Sequence, residues 1–153
     1  AAQILGQYYN FIHLGEEGYR EVHSNSMAIA QYCHDAIGEM TCFKNYSKTL
    51  DNPLFIWRLD PEYEKNAKWT LYDLQDKLMQ KSWMVPAYTM PKDLEDMVVM
   101  RIVVRQGMSR DMADMLLEDI KEAVEELEKL EYPTPTCIAA RKKEKCKGHI
   151  FTH

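Results

Sequence analysis

The chain has 153 residues, 46% of them hydrophobic and 28% charged, with a formal net charge of -5 at pH 7. That length suits one domain with a real core. The acidic balance excludes a nucleic-acid binder built on a basic face, and no run approaches the roughly 18 apolar residues of a membrane span. The four cysteines, Cys33, Cys42, Cys137 and Cys146, form no C-x-x-C pair, so neither a zinc site nor a thioredoxin-like motif is indicated. Ten methionines without a disulfide framework point to a reducing cytoplasm. No basic region precedes an apolar run at the N-terminus, as a signal peptide would require. The first residue is Ala1 rather than Met, from which we expect a chain that begins inside a longer protein.

The first 40 residues read as two helices with one short break. Ile4, Leu5, Tyr8, Tyr9, Phe11 and Ile12 recur at helical spacing, and Gly15 with Gly18 interrupts them. Tyr19, Val22, Met27, Ile29, Ala30, Cys33 and Ile37 mark the second helix, with Gly38 placed to end it. Residues 53–59 are branched and aromatic and read as a buried strand, with residues 42–46 as a partner. Thr70 is placed to cap a helix, with Asp73 reaching back to it as in a capping box with a shorter acid. Leu71, Leu74 and Leu78 form the stripe of that helix, which is expected to end near Ser82. Residues 83–88 read as an edge strand, because Pro86 cannot donate to a central ladder.

Residues 97–104 form the strongest strand, apolar on both faces, which predicts a central strand covered on two sides. Ser109 is placed to cap a final long helix. Met112, Met115, Leu116, Ile120, Val124, Leu127 and Leu130 are its expected buried face, and Pro133 with Pro135 its stop. A basic tail follows from Arg141 to Lys147, expected to be mobile. The pattern is α+β: two leading helices, then short strands interleaved with two more helices. It divides into a helical entry (1–40), a small α+β domain (41–132) and a tail (133–153).

Arg101 stands out chemically. It sits mid-strand on the face shared by Val99 and Val103, and an unpaired buried guanidinium is very costly. Either it pairs with a carboxylate of its own domain, or it faces a cleft and grips an anionic substrate through its planar fork. His13, His23 and His34 lack metal-ligand spacing and read as packed or surface histidines. The chain contains no glycine-rich phosphate loop, no G-x-S-x-G elbow and no His-Lys dipeptide. By itself it holds no complete catalytic constellation.

Several blocks nonetheless look familiar. Residues 2–11 and 14–19, then 69–74 and 83–88, then 98–105 and 113–119 resemble stretches of glutamate decarboxylases of the bacterial type, in that family's order and at about its spacing. The resemblance runs through most of residues 1–131. It implies the aspartate-aminotransferase-like fold, fold type I of pyridoxal-phosphate enzymes. In that fold a large domain carries the cofactor on a lysine in a Ser-x-His-Lys context, and a small C-terminal α+β domain closes over the active site.

The implied reaction is α-decarboxylation of L-glutamate to 4-aminobutanoate, with pyridoxal phosphate as electron sink. Because it consumes a proton, it suits acid resistance in bacteria. The implied chain is a C-terminal fragment, inactive alone, that partners the rest of the decarboxylase and neighbouring subunits of a homo-oligomer. The leading helices would pack there, leaving their apolar faces exposed in this chain. Arg101 matches the family's small-domain arginine that binds a substrate carboxylate. His153, in the Phe151-Thr-His153 ending, resembles a terminal plug that folds over the active site near neutral pH, where a histidine changes charge. Two alternatives stay open: a free-standing binding or regulatory module with this fold, or part of another decarboxylase of the superfamily.

Overall fold

The computed structural model describes residues 2–147, with side chains described through residue 142. Helix α1 (Ala2–Gly38) breaks at Gly15, whose φ of 58° and ψ of -172° fall where only glycine is at ease. The two expected helices are therefore joined directly at one residue. The half beyond the break buries Ser26, Ile29, Ala30, Cys33 and Ile37. The half before it buries nothing: Ile4, Leu5, Tyr8, Tyr9, Phe11 and Ile12 are 62–71% exposed.

Four short strands form one antiparallel sheet: β1 (Phe43–Asn45), β2 (Leu54–Leu59), β3 (Ala87–Thr89) and β4 (Val98–Val103), in the order β1-β2-β4-β3. The edge position expected for the Pro86 segment holds, but the strand begins only after the proline. Strand β4 is central in the sheet, and here the expectation of cover on two sides needs correction. Met100, Ile102 and Val104 point into the core; on the opposite face Val99 is fully buried, as expected, whereas Arg101 and Val103 are exposed, Val103 by 45%. The outer face of β4 is thus covered by its own domain at Val99, opposite Tyr88, and open from Arg101 onward.

Between β2 and β3 lie helices α2 (Pro61–Asn66) and α3 (Leu71–Gln80). The short α2 escapes a reading by hydrophobic period because none of its residues is buried. Its signal is the cap: Asp60 accepts from the amides of Glu62 and Tyr63, ahead of Pro61 at the first helical position. Helix α3 buries Leu71, Leu74 and Leu78, as its leucine stripe predicts. Asp73 reaches back to accept the Thr70 amide at 2.7 Å, and the Thr70 hydroxyl turns to the same carboxylate at 2.8 Å.

Helix α4 (Arg110–Glu128) is capped by Ser109, whose hydroxyl accepts from the Met112 amide at 3.1 Å. Its buried face is rotated from the expected one. Met112 and Met115 are exposed, while Ala113, Leu117 and Ala123 join Leu116, Ile120, Val124 and Leu127 inside. The second half of α1, with α3 and α4, packs on the inner face of the sheet around Phe55, Trp57, Met100 and Ile102. Phe43 lies edge-on to Trp57 and Trp69, with ring centroids 6.5 and 6.4 Å away.

Helix α4 is not the last. The segment read as a tail forms helix α5 (Pro135–Lys147). Thr134 caps it by accepting the Cys137 amide at 3.2 Å, with Pro135 at a position a proline suits. Helix α4 ends at Glu128, ahead of both prolines expected to stop it, and Pro135 instead starts α5. Its N-terminus docks on α3, because the hydroxyls of Thr134 and Thr136 reach Asp73 at 2.9 and 2.6 Å. Arg141 adds a bond to the Ala67 carbonyl at 2.9 Å.

Candidate functional site

Strand register sets the surroundings of Arg101. Side chains alternate along a strand, and residues directly opposite each other share a face. Arg101 lies opposite Ile56 of β2, and Val99 lies opposite Tyr88 of β3. The outer face of the sheet around Arg101 therefore carries Leu54, Ile56, Val99, Val103 and Tyr88, an apolar and aromatic setting for one guanidinium. The Arg101 carbon Cζ stands over the Tyr88 ring, 5.6 Å from its centroid.

A second arginine, Arg58, alternates onto the same face of β2, and it is internally satisfied. Its guanidinium bonds Glu64 at 2.9 Å and the Leu59 carbonyl at 3.1 Å. The ion pairs among the described residues engage Arg20, Arg58 and Arg110 but not Arg101. Of the two readings of Arg101, internal pairing with a carboxylate of its own domain finds no support in these pairs. Arg101 is exposed, so its guanidinium is open to solvent or to a ligand.

Arg101 also borders an open hollow of about 460 Å³, together with Trp83, Pro86, Arg105, Met108 and Leu116. One wall is the segment from Trp83 to Pro86, which leads into β3 and is pinned by side chains rather than by sheet alone. The Trp83 indole donates to Asp119 at 2.6 Å, and Asp119 accepts from Lys81 at 2.8 Å. Lys81 also reaches Glu122. The Lys81 bond, then the Trp83 bond, holds the Asp119 carboxyl below the usual carboxylate range. Further along, the Ala87 amide donates to Gln75 Oε1 at 2.6 Å. A sequence reading does not reach these partners, since Asp119 lies 36 residues from Trp83 and the register that seats Tyr88 beside Arg101 depends on turns.

The described lysines do not suit a cofactor that needs a desolvated amine. All are exposed except Lys77, which is half-buried and bound to Glu126 at 2.7 Å. The carboxylates around Lys81 raise its pKa, opposite to the depressed value an amine nucleophile requires. No lysine borders the Arg101 hollow. No described lysine therefore has, within this chain, the desolvated surroundings that an anchor for pyridoxal phosphate needs.

The histidines take up ordinary places. His13 stacks on Tyr9 at 5.3 Å, His23 is exposed, and His34 bonds Asp35 and the Ser47 carbonyl, both at 2.9 Å. His149 and His153 lie outside the described residues. Cys33, Cys42 and Cys137 are buried free thiols, and burial pushes the first two up to about 11. Among the described residues there is no cluster of three or more His, Cys, Asp or Glu side chains placed to hold a metal ion. None of their helices is long and apolar enough to cross a membrane.

With the geometry in place, three relatives are informative. Glutamate decarboxylase beta of Listeria innocua is 39% identical over 127 residues, which is 83% of this chain and 27% of that protein. Glutamate decarboxylase alpha of Listeria monocytogenes is 35% identical over all 153 residues, 31% of its own length. The solved glutamate decarboxylase of Lactobacillus brevis superimposes with a TM-score of 0.79 at 36% identity, over 84% of this chain and 29% of that one. No protein-family model matches the chain. The chain spans less than a third of the length of the curated relatives it matches, and its helices and four-stranded antiparallel sheet are the α+β small domain of fold type I pyridoxal-phosphate enzymes. In sequence and in fold, the chain belongs to the C-terminal region of the glutamate decarboxylase family.

Proposed function

We propose that this chain is the substrate-gripping small domain of a pyridoxal-phosphate-dependent glutamate decarboxylase, which converts L-glutamate to 4-aminobutanoate and carbon dioxide. The observation that carries the reading is Arg101. It is an exposed arginine in an apolar setting, outside the ion pairs among the described residues, beside a neighbour, Arg58, that is bound to Glu64 and the Leu59 carbonyl. A planar fork in such a place suits a bidentate carboxylate. Its role here is to bind and orient one carboxylate of the substrate. The cofactor and its lysine belong to the rest of the enzyme.

The exposed apolar side chains of residues 4–12 form the docking face for that remainder or for a neighbouring subunit of a homo-oligomer, since a patch of this kind marks an interaction surface. A cytoplasmic location and a part in acid resistance go with this reading, and the free thiols suit a reducing compartment. His153, as a plug that closes the site with rising pH, rests on the family resemblance alone. Deleting residues 149–153 from the complete enzyme is expected to extend activity toward neutral pH, and an unmoved pH profile refutes the plug.

The function itself is tested with the complete enzyme on a panel of amino acids. Release of 4-aminobutanoate from glutamate, with no turnover of aromatic amino acids or histidine, is expected. Preference for an aromatic substrate or histidine would transfer the domain to another decarboxylase group. The isolated chain, mixed with pyridoxal phosphate and dialysed, is expected to retain no chromophore. Stable retention with turnover would place the cofactor lysine within these residues.

A further inference from the structure

We infer that Tyr88 is a positioning residue for Arg101, holding the guanidinium over its ring so that the N–H donors pointing away from the ring are presented to a carboxylate. The inference rests on the reading of Arg101 as the carboxylate-binding group and assigns to this domain a device that makes that grip selective in orientation.

Three observations support it. First, an exposed arginine samples many rotamers and loses that freedom on binding. A ring already beneath the guanidinium removes part of the loss before substrate arrives. Val99 and Arg101 share a face, and Tyr88 stands directly opposite Val99. Its ring therefore reaches Arg101 along the diagonal, where aromatic side chains make contact across strands. Second, β3 is a three-residue edge strand with β4 as its one neighbour, preceded by a proline. Such an edge is among the first parts of a sheet to open.

Third, this weak strand is fastened at several points beyond its ladder. Trp83 is held by Asp119 of α4, the Ala87 amide by Gln75 of α3, and the Pro86 carbonyl accepts the Arg101 amide at 3.3 Å. Those fastenings set where the Tyr88 ring lies, and the ring in turn sets where the guanidinium lies. The hydroxyl is not needed: the contact is to the ring.

The test is a set of variants in the complete enzyme, read as KM and kcat for glutamate separately. Tyr88→Leu removes the ring and is expected to raise KM about 2–5-fold, the range for an exposed cation–π contact, with a smaller change in kcat. Tyr88→Phe keeps the ring and is expected to recover the wild-type KM. In an Arg101→Ala background, Tyr88→Leu is expected to add nothing, since the two act as one unit. A wild-type KM for Tyr88→Leu, or equal losses for Leu and Phe, overturns the inference. So does an undiminished Tyr88→Leu effect without Arg101.

The underlying reading fails differently, by wild-type kinetics in Arg101→Ala itself. Should Tyr88→Leu not fold, Gln75→Ala loosens the same segment from a distance. A raised KM that again disappears in the Arg101→Ala background supports the inference, and an unchanged KM overturns it.

Discussion

The two faces of the sheet are built from alternate residues of the same strands, yet they are organised for different ends. On the inner face Phe55, Trp57, Met100 and Ile102 meet the helices and are almost wholly buried. On the outer face Ile56, Arg58, Arg101 and Val103 meet solvent to varying degrees, and the two arginines among them differ sharply. Arg58 is closed on itself by Glu64 and the Leu59 carbonyl. Arg101 is steadied by an aromatic ring and stands outside the ion pairs. A charged residue on an otherwise apolar face becomes informative when a neighbouring charge shows what structural satisfaction looks like in the same setting.

The comparison can be broken by substitutions on either face. Met100→Ala, on the inner side of β4, is expected to cost about 2–5 kcal/mol of stability, because the fully buried side chain leaves a cavity. Chemical denaturation measures it, and a loss below about 1 kcal/mol would mean the core is not as packed as described.

Asp73→Ala removes the acceptor shared by Thr70, Thr134 and Thr136. A loss of about 1–3 kcal/mol follows from bonds to a charged group, with faster hydrogen exchange in the first turn of α5. Exchange unchanged there would remove the anchoring role. Arg58→Ala breaks a partly exposed pair and is expected to cost about 0.2–1 kcal/mol. Activity of the complete enzyme should not change, and a large kinetic defect would erase the distinction between the two arginines.

A smaller effect depends on pH. The carboxyl of Asp119 titrates below the usual carboxylate range because of Lys81 and then Trp83. Its stabilisation is therefore complete above the unfolded value of about 3.9 and is lost as pH falls through the lower folded value. Melting of the wild type should decline more steeply than that of Asp119→Asn below about pH 4. Parallel curves would contradict the pinning of the Trp83 segment. The smallest effect on stability belongs to Arg101→Ala, within about 0.5 kcal/mol for an exposed side chain outside the domain's fixed networks.

Local chemistry made much of this legible beforehand. The Gly15 break, the Thr70–Asp73 and Ser109 caps, the leucine stripe of α3 and the edge rank of the Pro86 segment each depend on residues a few positions apart. Arg101 was visible because one charge interrupts an apolar strand. What escaped depends on tertiary partners. Helix α2 has no buried face to reveal it, and α5 is stabilised by Asp73, some 61 residues before Thr134. The face of α4 turned away from Met112 and Met115 because neighbouring helices, not hydropathy, decide which side is inner. Whether the outer face of β4 is covered cannot be read from its own side chains.

The most direct test is the steady-state kinetics of Arg101→Ala and Arg101→Lys on glutamate in the complete enzyme. Removing one partner of a charged, hydrogen-bonded pair costs about 2–5 kcal/mol, which predicts kcat/KM lower by roughly 30-fold to several-thousand-fold. Lysine should restore little of it, since its point charge lacks the fork. Wild-type kinetics in Arg101→Ala would contradict the account at its centre and return Arg101 to the status of an ordinary surface charge.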